Sequence, residues 1–260
     1  MHRQEGAGEY LCCRRLQEIV GGSERYILSF GCGVNTAALM VRLVERHLPF
    51  DEAVFADTGA ELPETYSYLN IARNYLGDHG IPLVIVKSRV GTLYDTCKRR
   101  RVIPSGIWRW STRDYKVTPI HRYYRSLDAQ IFEYLGIAYD EVSRMKRSRE
   151  PYITSLFPLV DERLGRADCV RIIERAGLPV PVKSGCYFCP FNSLDRWAEL
   201  YRAHPELYQR AVALEEGSKH FPRQTLTPAT LRVLRKEIRT GKVSPTDGQT
   251  DSPCGAYCMT

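Results

Sequence analysis

The sequence predicts an α/β fold on a doubly wound, mostly parallel sheet, continued by a helical C-terminal part that carries a cysteine-bound metal site. Three observations carry this reading. Short β-favouring apolar runs alternate with helix-length segments between residues 25 and 88, the pattern of strand–helix–strand units that cover both faces of a parallel sheet. A glycine-rich turn follows the first of those runs. From residue 161 onward the pattern is helical around a Cys-x-x-Cys.

In chain order, RYILSF (25–30) reads as the first strand. NTAALMVRLVERHL (35–48) follows as a helix, with Leu39, Val41, Leu43, Val44 and Leu48 mostly on one side. DEAVFADTG (51–59) is a second buried strand ending in a turn, and LPETYSYLNIARNYLGDHG (62–80) a helix with Pro63 in its first turn and glycines at its end. IPLVIVKS (81–88) is the third strand. GTLYDTCKRRR (91–101) reads as a helix, and TRDYKVTPIHRYYRSL (112–127) as a basic, aromatic helix interrupted near Pro119. AQIFEYLGI (129–137) is the fourth strand, and DEVSRM (140–145) begins a polar loop or helix. DERLGRADCVRIIERAG (161–177) reads as a helix closed by Gly177, and residues 191–217 as helix broken at His204–Pro205. The tail, 241–260, is rich in Gly, Pro, Ser and Thr and reads as loop.

The 260 residues are 43% hydrophobic and 26% charged, the balance of a globular chain rather than a disordered one. No apolar run approaches the ~18 residues of a membrane span, and MHRQEGAGEY lacks the apolar core of a signal peptide, so a cytoplasmic protein is expected, with no membrane partner. Nine cysteines in a reducing compartment point to metal or sulfur chemistry before a disulfide framework. The net charge of +7 suits an anionic partner, either a nucleic acid or small phosphates. That charge is concentrated at KRRR (98–101), Arg109, Arg113 and Lys116. With Trp108, Trp110 and Tyr115 interleaved, the stretch suits nucleic-acid phosphates and bases or, equally, a nucleotide pocket.

SFGCGVNTAAL (29–39) lies where an open α/β sheet binds ligands, beyond a strand's carboxyl end and before a helix N-terminus. Small residues there let backbone N–H groups approach a phosphate, and Ser29, Asn35 and Thr36 add side-chain donors. It is neither a Walker loop nor a dinucleotide fingerprint. The second stretch, FADTGAELPETYSYL (55–69), ends the neighbouring strand with Asp57, Thr58, Glu61 and Glu64.

Together these two stretches resemble the PP-loop ATP pyrophosphatases, in the phosphoadenosine-phosphosulfate-reductase-like branch of the adenine nucleotide α-hydrolase fold. The resemblance continues through RWSTRDYKVTPI (109–120), RMKRS (144–148), RADCVRIIERAGLPVPVKSGCYFCPF (166–191) and CGAYC (254–258), in order along most of the chain. It implies an N-terminal helix at 1–22, a PP-loop α/β domain at 23–160 and a helical region at 161–260. It also implies a nucleotide site of Ser29, Phe30, Gly31, Gly33, Val34, Asn35, Thr36, Asp57, Thr58 and Glu61. The loop holds phosphates there, with Asp57 and Thr58 near ribose and adenine. Asn35, Arg113 and Lys116 take catalytic roles. The cofactors implied are ATP with Mg²⁺; the partners are ATP or a related adenine nucleotide and tRNA or another nucleic acid, with a homodimer left open. Two departures stand out. Many members of the family carry Asp at the position of Asn35, and many read Cys-Thr where this chain has Ser111-Thr112.

Cys186-x-x-Cys189 and Cys254-x-x-x-Cys258 are two close pairs, and two such pairs make a four-sulfur site for zinc or an iron–sulfur cluster. The runner-up is a redox dithiol or disulfide. Spacing alone leaves the metal open, and the resemblance favours a [4Fe–4S] cluster, with Zn²⁺ as the alternative. Cys169 and Cys97 read as core, and Cys12 and Cys13 as incidental. Cys32 reads as a small residue tolerated in a turn, with sulfur chemistry as the alternative, since a helix N-terminus lowers a thiol's pKa.

The leading function is therefore ATP-dependent transfer with adenylation, in its sulfur-inserting version. The alternatives are a sulfonucleotide reductase and a non-catalytic nucleotide- or nucleic-acid-binding module with structural zinc.

Overall fold

The computed structural model describes residues 23–105, 109–219, 226–227 and 230–242. The expected helix at 1–22 and the cysteines at 12, 13, 254 and 258 lie outside the described residues. Five parallel strands, β1 (Ser23–Ser29), β2 (Glu52–Asp57), β3 (Leu83–Lys87), β4 (Ala129–Leu135) and β5 (Ile153–Leu156), form one sheet in the order β3-β2-β1-β4-β5. The sheet grows outward from β1 in both directions, so the strand order reverses between β1 and β4.

The alternation of side chains along each strand sorts two cores. Leu28, Ala53, Phe55 and Tyr134 face α1 (Val34–Glu45), α2 (Pro63–Asp78) and α7 (Arg166–Arg175). Ile27, Val54, Ala56, Val86, Ile131 and Ile153 point to the other face and meet Ile120 and Tyr124 of α5 (Thr118–Ser126). The interior strand β2 is buried at every position, as a strand covered on both faces must be. A third apolar cluster is built from α3 (Leu93–Arg100), α8 (Leu194–Ala203), α9 (Pro205–Gly217) and α10 (Leu231–Arg239), around the fully buried Trp197.

The predicted strands and first helices are present with bounds shifted by a few residues. The interruption near Pro119 is a π turn rather than a break. α4 (Trp110–Thr112) runs into a π turn, Arg113–Val117, and on into α5. Proline lacks the N–H that would close the α-helical bond four residues back, and a wider turn accommodates that loss. The helix predicted from residue 161 starts later. Arg163 has φ +55° and Gly165 is the extended N-cap of α7, so residue 161 instead ends the short α6 (Pro158–Asp161). DEVSRM lies in a 3-10 helix, Tyr139–Arg144. The break at His204–Pro205 stands between α8 and α9 as expected.

The KRRR run closes α3, where positive charge complements the helix C-terminus. Arg101 there is left-handed (φ +55°), its Nε donating to the Gly217 carbonyl at 3.1 Å. Arg100 lies over the Trp110 ring at 5.7 Å. Much of this charge thus braces α3 against its surroundings.

Candidate nucleotide and thiol site

The loop after β1 is held open by backbone geometry. Phe30 N still donates to Val54 O at 2.9 Å, so the chain leaves the sheet only at Gly31. Gly33 then serves as the extended N-cap of α1, and its N–H donates to Thr36 Oγ1 at 3.2 Å. The first turn of a helix has N–H groups without intrahelical partners, a ready site for an anion. Behind it, a Cβ on Gly136, just past β4, would stand 2.6 Å from Thr36 Cγ2 and 2.9 Å from Thr36 N. Glycine is thus required where the end of β4 presses on the head of α1. In front, a Cβ on Gly33 would meet Ser184 Oγ at 3.3 Å, which places the loop beside the segment leading into Cys186.

Within the loop, Ser29 lines the crevice together with Phe30 and Gly31. The side chains of Phe30 and Val34 are buried in the apolar core, which leaves Val34's backbone as its reach toward a ligand. Cys32 has a left-handed φ of +57° and donates from Sγ to Thr65 O at 3.7 Å. Burial, reinforced by Glu61 and opposed by Lys116, pushes its thiol up to about 12. The buried thiol, bonded to a backbone carbonyl, fits a small residue tolerated in a turn. Cys97 and Cys169 are buried core thiols, each also pushed up to about 12 by burial.

At the end of β2 the carboxylates divide. Asp57 Oδ1 accepts from Gly59 N and from Tyr66 Oη, both at 2.8 Å, and Oδ2 lies 3.2 Å from Lys87 Nζ. Asp57 therefore shapes its own turn. Thr58 Oγ1 donates to Glu61 Oε1 at 2.9 Å, and Ala60 N donates to Thr58 Oγ1 at 3.2 Å. Glu61 then pairs with Cys186 in an antiparallel β-bridge, and Tyr187 N donates to Ala60 O at 3.0 Å. The Cys-x-x-Cys is thereby laid along the turn after β2.

Cys186 and Cys189 line a cleft with Ser111, Thr112, Arg109 and Lys116. The two thiols are free and hydrogen-bonded to one another. That hydrogen bond, with burial and the nearby Glu61, raises the Cys186 pKa well above its ordinary value, against the pull of Lys116. Lys116 and Glu61 also border the loop crevice beside Ser29 and Gly31, so the two hollows share a wall. Arg113, by contrast, is exposed and donates from Nε to Asp114 at 2.7 Å; Arg109 occupies the cleft instead. Sequence reading also passed over Gly136 and Glu141. A glycine directly after a strand, opposite a glycine loop, is the signal that marked Gly136.

No protein-family model and no curated protein match the sequence. Solved structures do. The U34-tRNA thiolase of Methanococcus maripaludis with its [4Fe–4S] cluster aligns over 92% of this chain and 80% of its own, at 13% identity and a TM-score of 0.50. A phosphoadenylyl-sulfate reductase from Candida auris, a phosphate complex, aligns over 60% and 75% at 16% identity and a TM-score of 0.43. The NH3-dependent NAD synthetase of Campylobacter jejuni aligns over 86% and 88% at 10% identity and a TM-score of 0.40. The likeness to the thiolase is one of fold, a parallel α/β sheet flanked by helices. The Rossmann-like, mostly parallel sheet expected from the sequence stands, and the five strands pair in parallel throughout.

Among the described residues no group of three or more His, Cys, Asp or Glu side chains is gathered to hold a metal ion. The donor set there is the Cys186–Cys189 pair, half of what a four-sulfur site takes. No described helix is long and apolar enough to cross a membrane.

Proposed function

We propose that this chain is an ATP-dependent transferase that adenylates a carbonyl-type oxygen of an acceptor with release of pyrophosphate and then lets a sulfide-level sulfur nucleophile displace AMP, the acceptor being a nucleobase in tRNA, another nucleic acid or a small molecule. The observation that carries the reading is the shared wall: Glu61 and Lys116 border both the loop crevice and the thiol cleft. An acceptor activated in the first would lie beside the sulfur-bearing residues of the second.

In this reading the loop from Ser29 to Thr36 binds the phosphates, and the free N–H groups of α1's first turn stabilise the pyrophosphate that leaves when the α–β bond breaks. Lys116 adds positive charge on the side facing the thiols. Bound Mg²⁺ would supply further neutralisation of the phosphates. Cys186 is kept as a thiol by its surroundings, and Lys116 is the group that favours the reactive thiolate. Cys186 and Cys189, joined by Cys254 and Cys258, would hold an iron–sulfur cluster or a zinc ion. The tRNA substrate and [4Fe–4S] cluster named for the Methanococcus enzyme are the forms of acceptor and cofactor this proposal extends to the chain.

The test is an anaerobic preparation assayed for pyrophosphate release from ATP with total tRNA, single-stranded DNA and free nucleosides offered in turn, alongside metal analysis. Acceptor-dependent pyrophosphate supports the proposal. Sulfite from a phosphosulfate donor would make the chain a reductase, and ATP binding without turnover on any acceptor a binding module.

A further inference from the structure

Asn35, the second residue of α1, is only 9% exposed. Its Nδ2 donates to Glu141 Oε2 at 2.8 Å, while Glu141 Oε1 accepts from Arg144 Nη1 at 2.6 Å. A carboxylate oxygen placed this way can only accept, so the amide nitrogen must face it. The orientation an Asn side chain otherwise leaves ambiguous is decided by its partner. Oδ1 is then the end left over, and it is buried with no hydrogen-bond partner among the described residues. Arg144 Nε is a buried donor in the same condition. Leaving such groups unsatisfied is costly, a cost removed when a ligand completes them.

We propose that Glu141, braced by Arg144, is a positioning residue that locks the Asn35 amide so that its acceptor end is presented at the phosphate loop. The inference rests on the adenine-nucleotide reading above. A phosphate oxygen is itself an acceptor and is repelled by Oδ1, so Asn35 would instead help hold a Mg²⁺ that accompanies the nucleotide, a cation that takes oxygen ligands. Glu141 and Arg144, the latter opening the RMKRS stretch, thereby set the metal dependence of nucleotide binding.

The test is calorimetric titration of the full chain with ATP, in Mg²⁺ and in a chelator, with folding checked by circular dichroism. The wild-type chain is expected to bind more tightly with Mg²⁺. Glu141→Gln, whose amide can donate to Oδ1 and turn it, is expected to lose about tenfold in Mg–ATP affinity and to keep the metal-free affinity. Asn35→Asp alone sets two carboxylates against each other and is expected to lose at least as much. The exchange Asn35→Asp with Glu141→Gln restores a donor–acceptor pair with one oxygen free and is expected to recover the metal dependence. Should Glu141→Gln not fold, Arg144→Met removes the brace and is expected to lower the Mg–ATP affinity in the same direction. The proposal is overturned by wild-type metal dependence in the folded variants, by a wild-type chain indifferent to Mg²⁺, or by an exchange that folds without recovery. A wild-type chain that binds no ATP under either condition removes the nucleotide reading as well. ATP binding with unmoved variants removes only the role of Glu141.

Discussion

Lys116 and Glu61 stand across a wall common to the loop crevice and the thiol cleft, with Lys116 supplied by the π turn and Glu61 by the turn after β2. In the proposed function, a cation and a carboxylate brought together there would connect phosphate binding to sulfur chemistry. Lys116→Met is expected to lower the turnover of pyrophosphate release by about 10²–10³, the range for losing one oriented charge or donor at a reacting centre. Arg113→Ala, at an exposed residue turned to Asp114, is expected to leave turnover within a few-fold. Steady-state assays of both variants decide it, and the reverse order would assign the catalytic cation to Arg113.

Gly136→Ala places a methyl group within 2.6 Å of Thr36. The head of α1 must shift to admit it. The expected cost is about 1–3 kcal/mol, as for other overpacked sites, measured by urea denaturation. Under the proposed function ATP affinity falls with it, because the shifted turn belongs to the loop assigned to the phosphates.

Glu133 and Glu52 flank Ile27 in one row of the sheet. They accept from Tyr124 Oη at 3.0 Å and Tyr123 Oη at 2.7 Å. Burial pushes the Glu133 carboxyl up to about 7, against the hydrogen bond from Tyr124. The folded state thus holds this proton more tightly than the unfolded chain does. Stability from this group is full below the unfolded value near 4.5 and is lost as pH rises through about 7. The loss is about 3 kcal/mol at one pKa unit per 1.36 kcal/mol. Denaturation between pH 5 and 8 is expected to show this slope, and Glu133→Gln to flatten it.

Glu215 is fully buried, and its two carboxylate oxygens accept from Leu226 N and Leu231 N, each at 2.8 Å. Glu215→Ala orphans both donors. The expected loss is about 2–5 kcal/mol, with Glu215→Gln falling between the two. Hydrogen exchange at the Leu231 amide follows the same order.

Alkylation with iodoacetamide at pH 8 is expected to leave Cys32, Cys97 and Cys169 unmodified in the folded chain, since burial holds all three as thiols. Peptide mass spectrometry reads this directly. Rapid labelling of Cys32 would show a loop that opens to solvent.

The strands β1 to β4 were legible because each is a β-favouring apolar run of ordinary length bounded by turn residues. β5 was not, because ITSL is a four-residue edge strand with only Ile153 fully buried. α10 escaped notice although Leu231, Leu234 and Ile238 recur at helical spacing and Thr230 caps it. The glycine loop after β1 and the Cys-x-x-Cys could be read from local composition. The Glu141–Asn35 bond spans 106 positions, and no local pattern announces it. Arg109 lines the cleft while Arg113 turns to Asp114, a difference that local composition does not announce.

The bridge between Glu61 and Cys186 joins main chain to main chain. Its spacing is therefore indifferent to which side chains occupy those two positions. A lineage could replace the carboxylate or exchange the sulfur without altering how far the Cys-x-x-Cys segment lies from the turn after β2. The scaffold would act as a fixed gauge on which successive chemistries are tried.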